Sequence, residues 1–212
     1  MKSTLALLVL ASAAAAAPRK CPNGAPPRLS GDLFAPVECS SAALPVAALP
    51  VPAARPGKID LKEFAGDYQG LTVAGFGRYE LRAGLKTGWL GRAEATLTII
   101  DLQSHFRSSL ALKLVPAGGA GRYATVLTDG ALPGAELKGE ATAGTPASAA
   151  PGAAAAAGER QMDIRFADGA LYRVRFAPDG PSALNAQVWW AAPGTKAGTF
   201  AVKLTRLPPA KS

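Results

Sequence analysis

The strongest catalytic candidates are three polar residues in one short stretch: Asp101, Ser104 and His105. They supply a carboxylate, a hydroxyl and the chain's single histidine, the groups of a nucleophile activated by a base that a carboxylate orients. Ser108 is a second candidate nucleophile. However, the chain has no Gly-x-Ser-x-Gly elbow, and these residues fall between two predicted strands, where polar side chains serve a turn. We therefore predict a turn here and no enzymatic activity.

Other catalytic or metal-binding chemistry has little support in the sequence. Asp67, Glu80 and Glu94 lack a spacing typical of the carboxylate pair that cleaves glycosides. One histidine and two cysteines that should be oxidised leave only carboxylates as metal ligands. No glycine-rich loop follows a strand and opens a helix, as a phosphate site requires. We predict neither a metal site nor a cofactor.

Tryptophan side chains are better candidates for binding than for chemistry. Trp189 and Trp190 are adjacent in a predicted strand, so they point to opposite faces of the sheet. Trp190 shares the parity of the core residue Val188, which leaves Trp189 for the surface. Trp89 stands in a glycine-flanked loop. Each of the two exposed indoles either stacks on a sugar or partner, or shields one end of the fold.

The chain is basic, with a net charge of +8. Such an excess favours anionic partners, for example lipid headgroups or acidic polysaccharide. Arg165, Arg173 and Arg175 are predicted to share one face of a hairpin, as an anion-binding stripe or as a solvated sheet face. No basic run or aromatic-rich motif typical of nucleic-acid binding is present, so we predict no nucleic-acid partner.

Alternation of apolar and polar residues dominates the chain from residue 64 onwards, which is the pattern of half-buried strands. Tyr172, Val174 and Phe176, for example, alternate with Arg173 and Arg175. Strands are predicted at 64–74, 76–84, 92–102, 106–116, 121–128, 135–142, 160–167, 170–177, 183–192 and 198–207. Short connectors rich in glycine indicate successive antiparallel hairpins. Because closure removes exposed edges, we predict an all-β, antiparallel up-and-down barrel of about 8–10 strands, with a sandwich as the alternative.

One hairpin can be placed in register by parity. A two-residue turn at Asp168-Gly169 would put Arg173 opposite Ile164, on the apolar face. A three-residue loop, residues 167–169, instead pairs Ile164 with Tyr172 and keeps the apolar residues on one face. We therefore predict a type I turn with Gly169 in the left-handed conformation, followed by a bulge.

The N-terminus has the composition of a secretory signal peptide. Lys2 precedes an apolar run from Leu5 to Leu10, and small residues follow up to Ala17. The apolar run is much shorter than the roughly 20 residues that cross a bilayer. We predict that residues 1–17 are removed, that the protein is exported to the periplasm or the medium, and that no transmembrane segment remains.

The rest of the chain divides into an extension and a barrel domain. Residues 18–57 form a proline- and alanine-rich extension and linker, in which Cys21 and Cys39 should form a disulfide because an exported chain meets an oxidising compartment. Residues 58–208 form the barrel. Within it, residues 141–158 are nearly all small and are predicted to form a low-complexity loop.

A family resemblance rests on the first and last predicted barrel strands. Gly66-Asp67-Tyr68 follows Phe64 in the first strand, and Arg206 lies in the last. The chain thereby resembles the calycin group, the lipocalins and their relatives, in which a Gly-x-Trp opens strand one and a basic residue near the last strand covers the aromatic ring. Tyr68 replaces the tryptophan, and the middle motif of the group has no counterpart. Over residues 60–207 the resemblance implies a barrel closed between its first and last strands, with a central cup that holds a ligand or is empty.

Together these features predict an exported, non-enzymatic barrel that binds a small apolar or anionic ligand. The alternative is an envelope structural, interaction or inhibitor protein with a filled barrel, which contacts a macromolecule through the Trp89 loop and the arginine face. A cavity larger than about 300 Å³ would favour the ligand.

Overall fold

Strands make up most of the residues that the structure, a computed structural model, describes: 21, 27–33, 37–39, 48–74, 77–130, 132, 134–147 and 158–208. The predicted signal peptide and residues 148–157 of the predicted low-complexity loop lie outside this set. Residues 141–145 of that predicted loop are strand, because small side chains still pair through their backbone. The strands are β1 (Arg28–Leu29), β2 (Val37–Glu38), β3 (Arg55–Pro56), β4 (Gly66–Ala74), β5 (Gly77–Thr87), β6 (Ala93–Asp101), β7 (Arg107–Pro116), β8 (Arg122–Asp129), β9 (Glu136–Thr145), β10 (Arg160–Phe166), β11 (Leu171–Pro178), β12 (Ala183–Ala191) and β13 (Gly198–Arg206).

Strands β4 to β13 form one closed, antiparallel, up-and-down barrel. Each strand pairs with the next along the chain, and β13 returns to β4, where Arg206 lies opposite Tyr68 and Thr205 opposite Gln69. The predicted barrel is confirmed, and the sandwich is not formed. The short β1 and β2 pair with each other, and β3 pairs with the end of β9.

The alternation in the sequence places apolar side chains inside the barrel. In β7, Leu110 and Leu114 are buried while Lys113 between them is exposed. Tyr123 and Leu127 of β8 follow the same rule. Because successive side chains of a strand point to opposite faces, a period of two is enough to fill one side of a closed sheet.

The hairpin between β10 and β11 has the predicted register. Ile164 lies opposite Tyr172, and Arg165 lies opposite Leu171. The Phe166 N–H donates to the Ala170 carbonyl at 2.9 Å. Gly169 has a φ of +96°, the left-handed conformation that the three-residue loop requires. The parity argument is confirmed.

The two ends of the barrel are closed differently. At the base, where β4 begins, the 3-10 helix Leu61–Phe64 packs Leu61 and Phe64 into the core, and the Phe64 ring meets the Phe176 ring edge-on at 4.8 Å. At the opposite end, the rim, the hairpin loop 167–170 meets the N-terminal segment. No helix among the described residues is long and apolar enough to cross a membrane.

Candidate functional site

An apolar cavity of about 200 Å³ lies inside the barrel. It exists because a ten-stranded barrel is wider than its inward side chains can fill where those side chains are small. Ala83, Ala95 and Ala186 are the small inward residues at this level. The remaining lining residues are apolar except for the hydroxyl of one tyrosine: Leu33, Leu81, Leu97, Leu110, Leu112, Leu127, Ile164, Phe166, Tyr172, Val174, Val188, Phe200, Val202 and Leu204.

The rim of the barrel is covered by residues 29–33, which we call the rim plug. Leu33 of the plug lines the cavity, and Leu29 and Ser30 are buried. The Asp168 carboxylate fixes the plug to the β10–β11 loop, because its Oδ2 accepts from the Gly31 N–H at 2.7 Å and its Oδ1 from the Ala170 N–H at 3.0 Å. A carboxylate that accepts two backbone N–H groups makes a stronger attachment than neutral acceptors would.

Tyr172 makes the second attachment of the plug. Its side chain is 2% exposed, and its hydroxyl donates to the Gly31 carbonyl and accepts from the Leu33 N–H at 2.8 Å. Burial raises the pKa of the Tyr172 phenol far above its usual value, so the hydroxyl remains protonated and able to donate. The Gly31 N–H, the Gly31 carbonyl and the Leu33 N–H therefore each have a hydrogen-bond partner inside the barrel mouth.

A disulfide holds both ends of the segment that contains the plug. Cys21 and Cys39 are bonded, with their Cα atoms 5.3 Å apart and a separation of 18 positions in sequence. Cys21 is 5% exposed. The predicted disulfide therefore closes a loop around the plug, which limits how far residues 29–33 can move away from the rim.

Removing one hydroxyl should loosen the plug. We expect Tyr172→Phe to lower the free energy of unfolding by about 2 kcal/mol, because the buried Gly31 carbonyl and Leu33 N–H lose their partner. Urea titration measures this change. Tyr123→Phe is the matched control: Tyr123 is also buried but has no side-chain hydrogen bond among the described residues, so its loss should stay below about 0.5 kcal/mol. Equal losses in the two variants would contradict the role given to the Tyr172 hydroxyl.

The three arginines of the predicted hairpin face lie outside the barrel, away from the cavity. The Arg173 Nε is 3.2 Å from the Asp163 Oδ2, and the Arg173 guanidinium also donates to the Val51 carbonyl. The Arg175 Nε donates to the Gln161 Oε1 at 2.9 Å. Arg165 is exposed.

Residues 48–54 lie against the same outer face of β10 and β11. The Ala54 N–H donates to the Asp163 Oδ2 at 3.1 Å, and the Gln161 Nε2 donates to the Pro52 carbonyl at 2.9 Å. The guanidinium of Arg173 is therefore half of an ion pair that this segment covers, while Arg165 remains open to solvent.

The tryptophans occupy three different environments. Trp190 faces inward and contacts the Phe200 ring at 5.7 Å between centroids. Trp189 faces outward beneath the Arg175 guanidinium, whose central carbon is 5.4 Å from the indole centroid. Trp89 is 85% exposed in the turn between β5 and β6 at the base. The structure thus brings Trp189 and Arg175 together and leaves Trp89 apart from them.

The polar stretch considered for catalysis is a turn between β6 and β7. The Asp101 Oδ2 accepts from the Ser104 hydroxyl at 2.8 Å, and its Oδ1 accepts from the Gln103 N–H at 2.8 Å. The Gln103 hydrogen bond is the main reason why the pKa of Asp101 is lowered. His105 is exposed with a φ of 57°, and Ser108 is buried on the inner face of β7.

Arg206 of the last strand covers Tyr68 of the first. Its Nη2 donates to the Tyr68 hydroxyl at 2.9 Å and to the Ala65 carbonyl at 2.7 Å, and its guanidinium carbon is 5.4 Å from the ring centroid. The Tyr68 hydroxyl donates to the Phe64 carbonyl at 3.0 Å. These contacts connect the 3-10 helix at the base to β4 and β13, the two strands that close the barrel.

Sequence reasoning did not identify the residues of the plug or its attachment. Gly31 and Leu33 belong to no motif, Asp168 was identified only as a turn residue, and only the flanking cysteines indicated that the segment is held in one place. The attachment joins residues that are 137 positions apart, in the case of Gly31 and Asp168. A pattern in neighbouring residues cannot show such a contact.

Comparison with known proteins assigns this chain to no family. No protein-family model and no curated protein match this chain. Among solved structures, that of EF1p2_mFAP2b bound to DFHBI covers 69% of this chain and 95% of its own, with 8% sequence identity and a TM-score of 0.40. A likeness at this level carries no argument about function.

Proposed function

We propose that this protein is an exported, calycin-like barrel that binds a small apolar molecule in its interior and has no catalytic role. The cavity under the rim plug is the observation that carries the proposal, since its lining is apolar and includes Leu33 of the plug. An apolar cavity of roughly 150 Å³ in a protein core stays dry and accepts benzene or xenon. A cavity of about 200 Å³ is therefore large enough to hold a small apolar ligand.

The volume limits the size of the ligand. The cavity of about 200 Å³ does not reach the roughly 300 Å³ that the sequence-based prediction required of a ligand site. That threshold is typical of sites for drug-sized molecules, which have about 300–1,000 Å³, so only a smaller ligand is proposed. The proposed ligand is consequently one aromatic ring or a short alkyl chain. An anionic ligand is not favoured because no cation lines the cavity and the Tyr172 hydroxyl is already bonded to the plug. Of the two ligand classes expected from the sequence, we therefore propose the apolar one.

Export and the calycin relationship have separate support. Export rests on the Lys2–Ala17 composition and on the Cys21–Cys39 disulfide, which persists in oxidising compartments. The calycin relationship rests on Arg206 covering Tyr68 where the first and last strands meet. The absence of catalysis is proposed because the Ser104 hydroxyl donates to Asp101, a carboxylate whose lowered pKa makes it a poor general base.

Filling the cavity should abolish binding without loss of the fold. Ala95→Leu places a larger apolar side chain in the space, so we expect the Kd for benzene or butylbenzene to rise at least about tenfold and stability to be kept or increased. The rise of Tm at saturating ligand measures binding. Ala111→Leu is the matched control, because Ala111 lies on the outer face of the neighbouring strand β7. Binding that survives Ala95→Leu would contradict the internal site.

Native mass spectrometry of protein purified from its own host tests the proposal without a chosen probe. A small molecule that is present in the native mass and lost on denaturation would identify a carrier and the class of its ligand. A bare protein that also gives no Tm shift with the benzene series would instead favour a structural or inhibitory barrel that contacts a macromolecule. The exposed Trp89 is the observation that supports this second candidate.

A further inference from the structure

Two large apolar side chains protrude side by side at the base of the barrel. Trp89 is 85% exposed and Leu90 is 68% exposed, and we call this pair the apolar tip. They belong to the Gly88–Arg92 turn, which joins β5 to β6. Single exposed apolar residues are common on protein surfaces, whereas adjacent exposed apolar side chains such as this tryptophan and leucine point to an interaction site.

The turn is built to hold the tip outward. The Gly88 N–H donates to the Arg92 carbonyl at 2.8 Å, and the Arg92 N–H donates to the Trp89 carbonyl at 3.3 Å. Leu90 has φ 58° and ψ 31°, a left-handed conformation that glycine or asparagine adopts much more readily than leucine. A leucine is thus kept at a position where it is both strained and exposed, and such outliers point towards function.

Cationic side chains surround the tip. Lys86, Arg92 and Lys113 are exposed and line one crevice at its foot, together with Val115, which is 40% exposed. No ion pair found in the described part of the chain involves any of these three cations. Glu94 lies between Lys86 and Lys113 in the cross-strand row, so the cluster keeps an excess of positive charge.

We infer that the apolar tip docks the protein on an anionic phospholipid bilayer. Tryptophan prefers the membrane–water interface, where its apolar ring and N–H are both accommodated. A leucine beside it adds apolar area that enters the acyl boundary, while lysine and arginine attract the anionic headgroups. The net charge of +8 supports the same choice of partner over a neutral surface.

Docking in this way would orient the barrel. The tip lies at the base, whereas the rim plug lies at the opposite end, beside loop 167–170. The plug would therefore face away from the bilayer, with the cavity mouth free in solution. This inference rests on the tip and its cations alone and does not depend on whether the cavity holds a ligand.

Vesicle co-sedimentation of the protein as its host processes it tests the inference. Vesicles of phosphatidylglycerol and phosphatidylcholine in equal amounts should bind the wild-type protein, and phosphatidylcholine alone should bind it at least about tenfold more weakly. Trp89→Ser with Leu90→Asn should weaken binding to the anionic vesicles at least about tenfold, since the apolar insertion is lost. The asparagine also suits the left-handed backbone, so the turn should be preserved. Lys86→Gln with Lys113→Gln should weaken binding about fivefold for each charge removed.

Leu71→Ser with Val73→Thr is the matched control. These side chains of β4 are 64% and 61% exposed but lie on the outer wall of the barrel, away from the tip. This variant should bind anionic vesicles within about twofold of the wild type. The inference is overturned if the wild-type protein does not bind anionic vesicles, if the tip variant binds as well as the wild type, or if the control loses as much as the tip variant. Loss only with the lysine variant would show non-specific adhesion to polyanions, which also overturns it.

Discussion

Replacing both cysteines by serine should lower the free energy of unfolding by about 3 kcal/mol. The Cys21–Cys39 bond closes a loop of 18 positions, and a loop of this size restricts the unfolded chain by about that amount. The same loop contains the rim plug, so its loss should also free the plug at Gly31 and Leu33. Urea titration gives the stability change, and amide hydrogen exchange at Leu33 reports the local opening.

Two comparisons separate the cross-link from the side chains. Wild-type protein reduced with dithiothreitol should match the serine variant, and a double alanine variant should do the same despite the burial of Cys21. A bound benzene probe should dissociate faster from all three forms if the plug controls access to the cavity. A stability change below about 1 kcal/mol, or unchanged exchange at Leu33, would show that the plug is held without the disulfide.

Gly31→Ala should displace the plug because the added methyl group overlaps with buried neighbours. A Cβ at this position would lie 2.5 Å from the Ala170 Cβ and 2.9 Å from the Phe166 Cδ2. Both neighbours are buried, Ala170 completely, so neither can move aside easily. Overpacking of this kind costs about 1–3 kcal/mol, and we expect the upper part of that range because the plug also loses its bond to Asp168.

The comparison for this variant is Gly130→Ala, another glycine at the rim. A Cβ there would be 3.8 Å from its nearest neighbour, the Ser109 carbonyl, which is ordinary contact. Its stability should change by less than about 0.5 kcal/mol. Faster hydrogen exchange at Leu33 in Gly31→Ala but not in Gly130→Ala is the expected result. Equal exchange in both would mean that the plug is not seated against Ala170 as described.

The two ends of the barrel have different features, because the plug lies at the rim and the apolar tip lies at the base. At the rim end, Asp168 and Tyr172 hold residues 29–33 by hydrogen bonds beside the cavity. The base end carries Trp89 and Leu90 and is closed by the Phe64–Phe176 contact. Because these contacts share no residue, variants at one end should leave the other unchanged, and the experiments above can be read independently.

The sequence by itself determined the barrel and most of its strand boundaries. An alternation of period two is local, since it depends only on which face of a strand each residue occupies. The same local parity gave the register of Ile164 opposite Tyr172 and the left-handed Gly169. Closure followed from the cost of exposed edges, and Cys21 and Cys39 could pair only with each other.

The cavity, the plug and the surroundings of the arginines were decided only by the tertiary structure. A cavity is a small difference between the width of a barrel and the volume of many inward side chains, so no single residue encodes it. The plug depends on contacts between Gly31 or Leu33 and residues about 140 positions later, which no local pattern records. Arg173 is covered for the same reason, because residues 48–54 reach it from far along the chain. Local periodicity thus specifies the wall of this barrel, whereas distant contacts specify the shape of its interior and of its rim.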